Sequence, residues 1–163
     1  MHMRSCQSAD LTAVMNIANM AWRPIRQMGR DALGDRINAV VHPAGEAASK
    51  GREVRDQIES GDYEVLICEH EDRIVGFITF RVVGAIGEIC NNAALPDSGV
   101  KGVGQTMYRT VLETFRSRGV KVARVTTGLD WAHAPARRAY ERAGFHKHLD
   151  FTTYYMDLET EFE

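Results

Sequence analysis

Hydrophobic residues recur every three or four positions through the first third of the chain, which is the spacing of one helix face. Ser8 is a suitable N-cap and predicts a first helix that runs to Ala21, after which Pro24 interrupts the pattern. A second helical stretch is expected to end at Pro43, and a third to cover Glu46–Ser60. The apolar positions behind these predictions are Leu11, Val14, Met15, Ala18 and Trp22, then Leu33, Ile37 and Val41, then Ala47, Val54 and Ile58.

After residue 62 the spacing of the hydrophobic residues changes from that of helices to that of β-strands. Runs rich in β-branched and aromatic residues predict strands at 63–68, 74–83 and 88–95, and a loop with three glycines follows. A helix with an apolar face should then end at Gly119. The remaining predictions are a strand at 120–129, a helix at 134–143 that Gly144 closes, a last strand at 151–158 and a frayed tail from Glu159. This order predicts one mixed α/β domain over residues 1–163.

The composition of the chain excludes some classes of binding partner. The 163 residues are 44% hydrophobic and 26% charged with a net charge of -2, as in ordinary globular domains, so no basic excess points to nucleic acid. The three cysteines, Cys6, Cys68 and Cys90, are far apart and odd in number, which favours a reducing compartment. No apolar run approaches the roughly 20 residues of a membrane span. A cytoplasmic protein that binds neither nucleic acid nor membrane is therefore predicted.

A glycine-rich loop, Gly99-Val100-Lys101-Gly102-Val103-Gly104, lies between a predicted strand and a predicted helix. Unpaired N–H groups and the positive end of the dipole at a helix start bind phosphate, and glycines let the main chain approach it closely. The residues after the loop, Gln105-Thr106-Met107, fit neither a Walker A loop nor a dinucleotide fingerprint. A coenzyme A pyrophosphate loop and a turn that binds nothing remain as alternatives.

A second motif follows one helix and one strand later, over Ala136–Phe145, and ends in Tyr140-Glu141-Arg142-Ala143-Gly144-Phe145. In this order and separation, the two motifs resemble those of the GNAT acetyltransferases. That family's loop reads Gln/Arg-x-x-Gly-x-Gly/Ala after the fourth strand, and its later helix ends in Tyr-Glu-x-x-Gly-Phe. The resemblance covers roughly residues 63–158. Gly99 departs from the usual Gln or Arg, and His133 from a common Asn.

The resemblance implies an α/β fold in which helices flank a mixed sheet, and in which the fourth and fifth strands splay apart to admit the pantetheine arm of acetyl-CoA. The end of the fourth strand would hydrogen-bond this arm, and the loop would hold the pyrophosphate. The coenzyme A site implied for this chain comprises Ala93, Ala94, Leu95, Gly99, Val100, Lys101, Gly102, Val103, Gly104, Gln105 and His133.

Acetyl transfer to an amine also needs a proton acceptor for the amine and benefits from a proton donor for the thiolate. The family's Tyr at the place of Tyr140 faces the sulfur, so the resemblance implies that Tyr140 is the general acid; a core tyrosine is the alternative. Glu88 lies eleven positions before Gly99 and matches the base of the family's histone-acetylating branch; a solvated strand-start glutamate is the alternative. Strand alternation predicts one shared face for Glu88, Cys90, Asn92 and Ala94.

Other reactive side chains receive simpler interpretations. Cys90 lacks an evident cationic partner and is interpreted as a small buried hydrophobe rather than an acyl-enzyme nucleophile. His146 and His148 share a predicted strand face but have no further ligand at suitable spacing, so no metal site is predicted.

Two functions follow from the resemblance. The first is transfer of an acetyl group from acetyl-CoA to a primary amine of a small molecule, peptide or protein by direct attack. The second is a non-catalytic acyl-CoA-binding sensor or interaction domain. Dimers are common in the family, so a homodimer is the assembly that the resemblance allows, and the identity of the amine is left open.

Overall fold

A computed structural model describes residues 1–42 and 46–159 of the chain. Five strands form one sheet in the order β1-β2-β3-β4-β5, in which β4 and β5 are parallel and every other pair is antiparallel. The strands are β1 His2–Ser5, β2 Glu64–His70, β3 Arg73–Val83, β4 Ile86–Ala94 and β5 Val122–Val125. The helices are α1 Leu11–Ala21, α2 Arg23–Val41, α3 Glu46–Glu59, α4 Val103–Ser117 and α5 Ala134–Ala143. The predicted mixed α/β class is confirmed.

Helices cover both faces of the sheet. On one face, α1 and α3 pack against β2, β3 and β4, and this cluster contains Val14, Ile17, Ala18, Val54, Ile67, Phe77 and Ala93. On the other face, α4 and Tyr140 of α5 pack over a second cluster that contains Ile78, Phe80, Ile89, Met107, Val111 and Phe115. Gly87 lets α4 approach this face, because a Cβ there would lie only 2.6 Å from the Phe115 ring.

Most predicted helices are confirmed, with small changes at their ends. A 3₁₀ turn over Ser8–Asp10 precedes α1, and the backbone N–H of Gln7 donates to Asp10 at 2.7 Å, so Ser8 is not the cap. Pro24 lies in the first turn of α2, where its missing N–H costs nothing. The predicted stop at Pro43 and the tail beyond Glu159 lie outside the described residues. None of the described helices is both long and apolar enough to cross a lipid bilayer.

Strand β1 has no counterpart in the sequence predictions. Its four residues are too few for a period to be visible, and its pairing with β2 comes from a distant part of the chain. The side chain of Arg4 anchors it, with bonds to Asp10 at 2.7 Å and to Glu69 at 2.6 Å. The edge of the sheet is thus tied to the start of α1.

The prediction of a last strand at 151–158 is wrong. This segment forms neither a helix nor a strand, and no strand of the described chain pairs with it. The predicted strand at 120–129 is also too long, since β5 covers only Val122–Val125. A β-rich sequence forms a strand only when a partner edge meets it, and most of the large apolar side chains after α5 are exposed: Leu149, Phe151, Tyr154, Tyr155, Met156 and Leu158.

Candidate active site

The glycine loop ends in the N-terminus of α4. Gly102 is the N-cap and has a left-handed φ of 80°, a conformation that favours glycine. The first helical hydrogen bond runs from the N–H of Thr106 to the carbonyl of Gly102 at 3.0 Å. The preceding N–H groups, those of residues 103–105, therefore lie ahead of the hydrogen-bond ladder at the positive end of the helix dipole. Such a terminus can hold a pyrophosphate.

The side chains of this segment serve mainly to fix it in place. Val103 is buried in the core under α4, and Val100 packs against the same cluster. The Gln105 side chain donates to the carbonyl of Ala139 at 3.0 Å and so joins α4 to α5. This bond holds the Gln105 side chain between the two helices, while its backbone N–H lies ahead of the hydrogen-bond ladder of α4. A Cβ at Gly104 would make an ordinary contact, 3.5 Å from the Tyr108 ring.

An open depression of about 560 Å³ lies beside the loop. Gly99, with a φ of 75°, lines it together with Lys101 and with Arg73 from the start of β3. Lys101 is exposed, so its ammonium can reach an anion at the helix start.

Strands β4 and β5 separate beside this loop. Their pairing covers four residue pairs and ends at Ile89 with Val125, and in the described chain β4 continues to Ala94 with no partner on that side. A cavity of about 160 Å³, lined by Glu88, Cys90 and Thr126 among others, marks the point of separation. The two strands therefore leave a gap of the kind that the resemblance implies.

Only part of the segment from Ala93 to Leu95 offers its backbone to this gap. The N–H of Leu95 bonds to the carbonyl of Val75 at 2.7 Å, so it faces β3. Because backbone groups alternate along an antiparallel ladder, those of Ala94, opposite Gly76, face the gap. Ala93 is buried beneath α1 and α3. Of the three residues, Ala94 is the one placed to bond an added strand.

A β-bulge lies in the middle of β4. Ile78 pairs with Asn92 and Phe80 with Ile89, so Thr79 faces two residues, Cys90 and Asn91. The Thr79 hydroxyl accepts the N–H of Asn91 at 2.9 Å and donates to the side chain of Gln57 at 2.9 Å. Gln57 belongs to α3, so this helix holds the bulge in place.

The bulge makes the prediction of one shared face wrong. The extra residue shifts the alternation, so Glu88 and Asn92 lie on opposite faces of the sheet. Glu88 bonds to Arg81 on the face of Thr79 and Gln57, whereas Asn92 bonds to Tyr108 of α4 and Tyr140 of α5.

Glu88 is buried and fully engaged. One of its carboxylate oxygens accepts from Arg81 at 2.6 Å, and the other accepts from Arg124 of β5. The carboxylate thus joins three neighbouring strands, β3, β4 and β5. Both of its oxygens are thus paired with arginine, and this arrangement favours a structural role for Glu88 over that of the base.

Tyr140 lies on α5 with its hydroxyl beside β4. The side chain is 7% exposed, and its ring packs near Tyr108 at 5.3 Å and Phe145 at 6.1 Å between centroids. Its oxygen accepts from the side-chain amide of Asn92 at 3.1 Å. Burial raises the pKa of Tyr140, and the hydrogen bond from Asn92 opposes that rise. A protonated phenol at this place can act as an acid.

Asn92 and Tyr108 are site residues that sequence reasoning missed. Tyr108 fits the apolar face of α4, which its ring does occupy, but its hydroxyl gives no signal in a hydrophobic pattern. The one signal for Asn92 is the polar pair that it forms with Asn91 inside a strand, but this pair alone does not predict a bulge.

His133 is the N-cap of α5, and its Nδ1 lies 2.6 Å from the carboxylate of Asp130. The guanidinium of Arg137 donates to the carbonyls of Gly128 and Asp130 at 2.6 and 2.7 Å, which fixes the loop around His133. His133 thus belongs to an ordered turn after β5.

The remaining candidates contribute no reactive group. Burial raises the pKa of the Cys90 thiol, which keeps it protonated and disfavours a nucleophilic role. Among the described residues, no group of three or more His, Cys, Asp or Glu side chains could hold a metal ion.

Solved structures share this fold. The PaiA N-acetyltransferase of Thermoplasma acidophilum, in complex with coenzyme A, has a TM-score of 0.64 at 15% identity over 89% of each chain. A GNAT family acetyltransferase of Brucella melitensis, in complex with acetyl-CoA, has a TM-score of 0.61 at 18% identity over 90% of this chain and 82% of that one. The ribosomal-protein-S18-alanine N-acetyltransferase of Escherichia coli has a TM-score of 0.63 at 17% identity, over 91% and 79%. None of the curated proteins compared with the sequence matches it.

The model of the acetyltransferase (GNAT) family matches residues 32–145, which is more than half of the chain. The match includes both the glycine loop and the helix that carries Tyr140. The chain therefore belongs to the GNAT family of acetyltransferases, which use acetyl-CoA as cosubstrate.

Proposed function

We propose that this chain transfers an acetyl group from acetyl-CoA to a primary amine of a small molecule, peptide or protein by direct attack, with Tyr140 as the general acid. The observation that carries the proposal is the placement of the Tyr140 hydroxyl. It lies against Asn92 of β4, past the point where β5 leaves that strand, and this is the side on which the family admits its cosubstrate.

Each part of the site has a task in this reaction. Acetyl-CoA supplies the activated acyl group. The N–H groups at the start of α4, with Lys101, hold its pyrophosphate. The free backbone groups of Ala94 orient the pantetheine arm. Tyr140 then donates a proton to the sulfur as the thiol leaves.

We assign the removal of the amine proton to water rather than to Glu88. Both oxygens of that carboxylate accept bonds from arginine, which holds the carboxylate within the sheet. An amine with a lowered pKa, or a high pH, would then favour the reaction, since only the neutral amine attacks.

The direct test is release of coenzyme A thiol from acetyl-CoA in the presence of a panel of amines. The panel should hold polyamines, peptides with a free N-terminus, peptides with lysine, and small amines. Thiol release that depends on one amine class, with acetylation seen by mass spectrometry, supports the proposal. Binding of coenzyme A without thiol release from any amine would overturn it.

That second outcome would favour a non-catalytic acyl-CoA-binding domain. The feature that points to it is Gly99, which stands where the family usually has a Gln or Arg. A cytoplasmic location and a homodimeric assembly stay predictions, and sedimentation of the purified protein would test the assembly.

A further inference from the structure

A hydrogen-bonded chain of three side chains lies behind the gap between β4 and β5. It joins Tyr108 of α4, Asn92 of β4 and Tyr140 of α5. The two tyrosines are buried in the cluster beneath α4, and Asn92 is partly buried. A polar amide in such surroundings must have its hydrogen bonds satisfied.

The partners of Asn92 fix which way its amide points. The Tyr108 hydroxyl donates to Oδ1 at 2.8 Å. The Nδ2 group donates to the Tyr140 oxygen at 3.1 Å and to the carbonyl of Cys90 at 3.4 Å. A reversed amide would place its oxygen against the carbonyl oxygen of Cys90, two acceptors that repel each other, so only the observed orientation satisfies both groups.

This orientation leaves the Tyr140 proton available. The distance from the Tyr140 hydroxyl to Oδ1 of Asn92 is 3.5 Å, which is beyond the usual range for an O–H donor. Tyr140 therefore accepts a bond from the amide and retains its own O–H to donate elsewhere.

We propose that Asn92 is a positioning residue for acid catalysis by Tyr140, and that Tyr108 holds the Asn92 amide in the required orientation. The inference rests on the acetyl transfer proposed above and extends it to residues that touch no substrate atom in that scheme.

The chemical step shows what Asn92 would contribute. The C–S bond of the tetrahedral adduct breaks and its electron pair goes to sulfur. The O–H bond of Tyr140 breaks, its proton forms the S–H bond of coenzyme A, and a phenolate remains. The N–H of Asn92 stabilises that phenolate until water returns the proton. The same bond opposes the rise that burial causes in the pKa of Tyr140.

A double-mutant cycle tests the inference. Asn92→Leu keeps the size of the side chain and removes the amide, and it should lower kcat by about tenfold while the affinity for coenzyme A is unchanged. In a Tyr140→Phe background the same substitution should change kcat by less than about twofold, because Asn92 acts only through the phenol. Independent effects that multiply in the double variant would overturn the inference.

Asn92→Asp is a second variant with almost the same shape. It keeps an acceptor for Tyr108 but turns the donor to Tyr140 into a negative charge, which should raise the pKa of Tyr140 further. The basic limb of the pH profile of kcat should move to higher pH in this variant. Tyr108→Phe, which keeps the ring, should give a smaller loss of kcat than Asn92→Leu.

A measurement without turnover separates this inference from the proposed function. The Cζ resonance of labelled tyrosine, assigned to Tyr140 by its loss in Tyr140→Phe, reports ionisation of the phenol as pH rises. A later titration in Asn92→Asp than in the unsubstituted protein supports the hydrogen-bonded chain, even if no amine releases thiol. Identical titrations would overturn the inference, even if the enzyme proves active.

Discussion

Two single residues are central to the candidate site. Gly102 shapes the end at which the pyrophosphate of coenzyme A is proposed to bind. Its φ of 80° allows the chain to turn into α4, and a Cβ there would meet only the methyl group of Met1 at 3.7 Å. The described residues thus leave space at this position, and in the proposed complex a Cβ would meet the bound phosphate.

Gly102→Ala should therefore weaken coenzyme A binding by about tenfold or more, measured by calorimetry, because the methyl group intrudes on the phosphate. Gly84→Ala is the matched control, since Gly84 has a φ of 60° and open space around its Cβ position. Both variants should lose about 1–2 kcal/mol of unfolding free energy through backbone strain. Equal coenzyme A affinity in the two variants would show that the loop is not the cradle.

Tyr140 lies at the other end of the site, where the thiol is proposed to leave. Tyr140→Phe keeps the ring contacts with Tyr108 and Phe145 and removes one hydroxyl. Turnover should fall by roughly ten- to a thousandfold, as for loss of a general acid, while coenzyme A affinity changes little. Steady-state kinetics with one accepted amine is the measurement. Turnover at the unsubstituted rate, under conditions where chemistry is rate-limiting, would make Tyr140 a packing residue.

At the scale of elements, β4 decides which groups meet. The sequence predicts this strand and the loop and helix that follow it, because each carries a strong period or a glycine signal. It does not predict the bulge at Cys90 and Asn91, which depends on Thr79 of β3 and Gln57 of α3. One inserted residue exchanges the two faces, and so Asn92 lies on the face of Tyr140 while Glu88 lies on the opposite face.

Glu88 is then a residue that holds strands together, and this interpretation can be measured. Glu88→Gln removes the charge that Arg81 and Arg124 share, and should lower the unfolding free energy by about 1–3 kcal/mol in urea titrations. Well below the unfolding transition, its kcat should stay within about threefold, against the 10²–10⁴-fold typical of general-base loss.

Glu64→Gln provides the control for that stability change. Glu64 pairs with Arg118 at the surface, where both side chains are about half exposed. An exposed pair is worth only about 0–1 kcal/mol, so this variant should unfold almost as the unsubstituted protein does. For the kinetic prediction on Glu88→Gln, a hundredfold loss of kcat would instead identify Glu88 as the general base.

For the whole molecule, long-range pairing decides what the sequence pattern leaves open. The order of helices and the three central strands follow from local periods, and they are confirmed. The N-terminal strand and the absence of a strand at 151–158 do not follow, because each depends on whether a distant edge is available for pairing. At the N-terminal edge, Arg4 fixes this pairing, because its ion pairs join β1 to Asp10 and to Glu69 of β2.

This joint predicts how stability depends on acid. Hydrogen bonds from Arg4 hold the pKa of Asp10 and that of Glu69 below their usual values. A carboxyl whose pKa is lower in the folded state stabilises the fold above its unfolded pKa, about 4 here, and this contribution disappears as pH falls through the folded pKa. Arg4→Met should therefore be less stable than the unsubstituted protein at neutral pH, and the difference should shrink below about pH 4.

Urea titrations at a series of pH values measure this difference, and Arg142→Met is the control. The recorded bond of the Arg142 side chain is to the carbonyl of Arg138, which does not titrate, so the difference for that variant should stay constant over the same range. An Arg4→Met difference that is equally constant would mean that the joint acts through packing of the arginine side chain. A shrinking difference would identify the ion pairs of Arg4 as the link that keeps the first strand on the sheet.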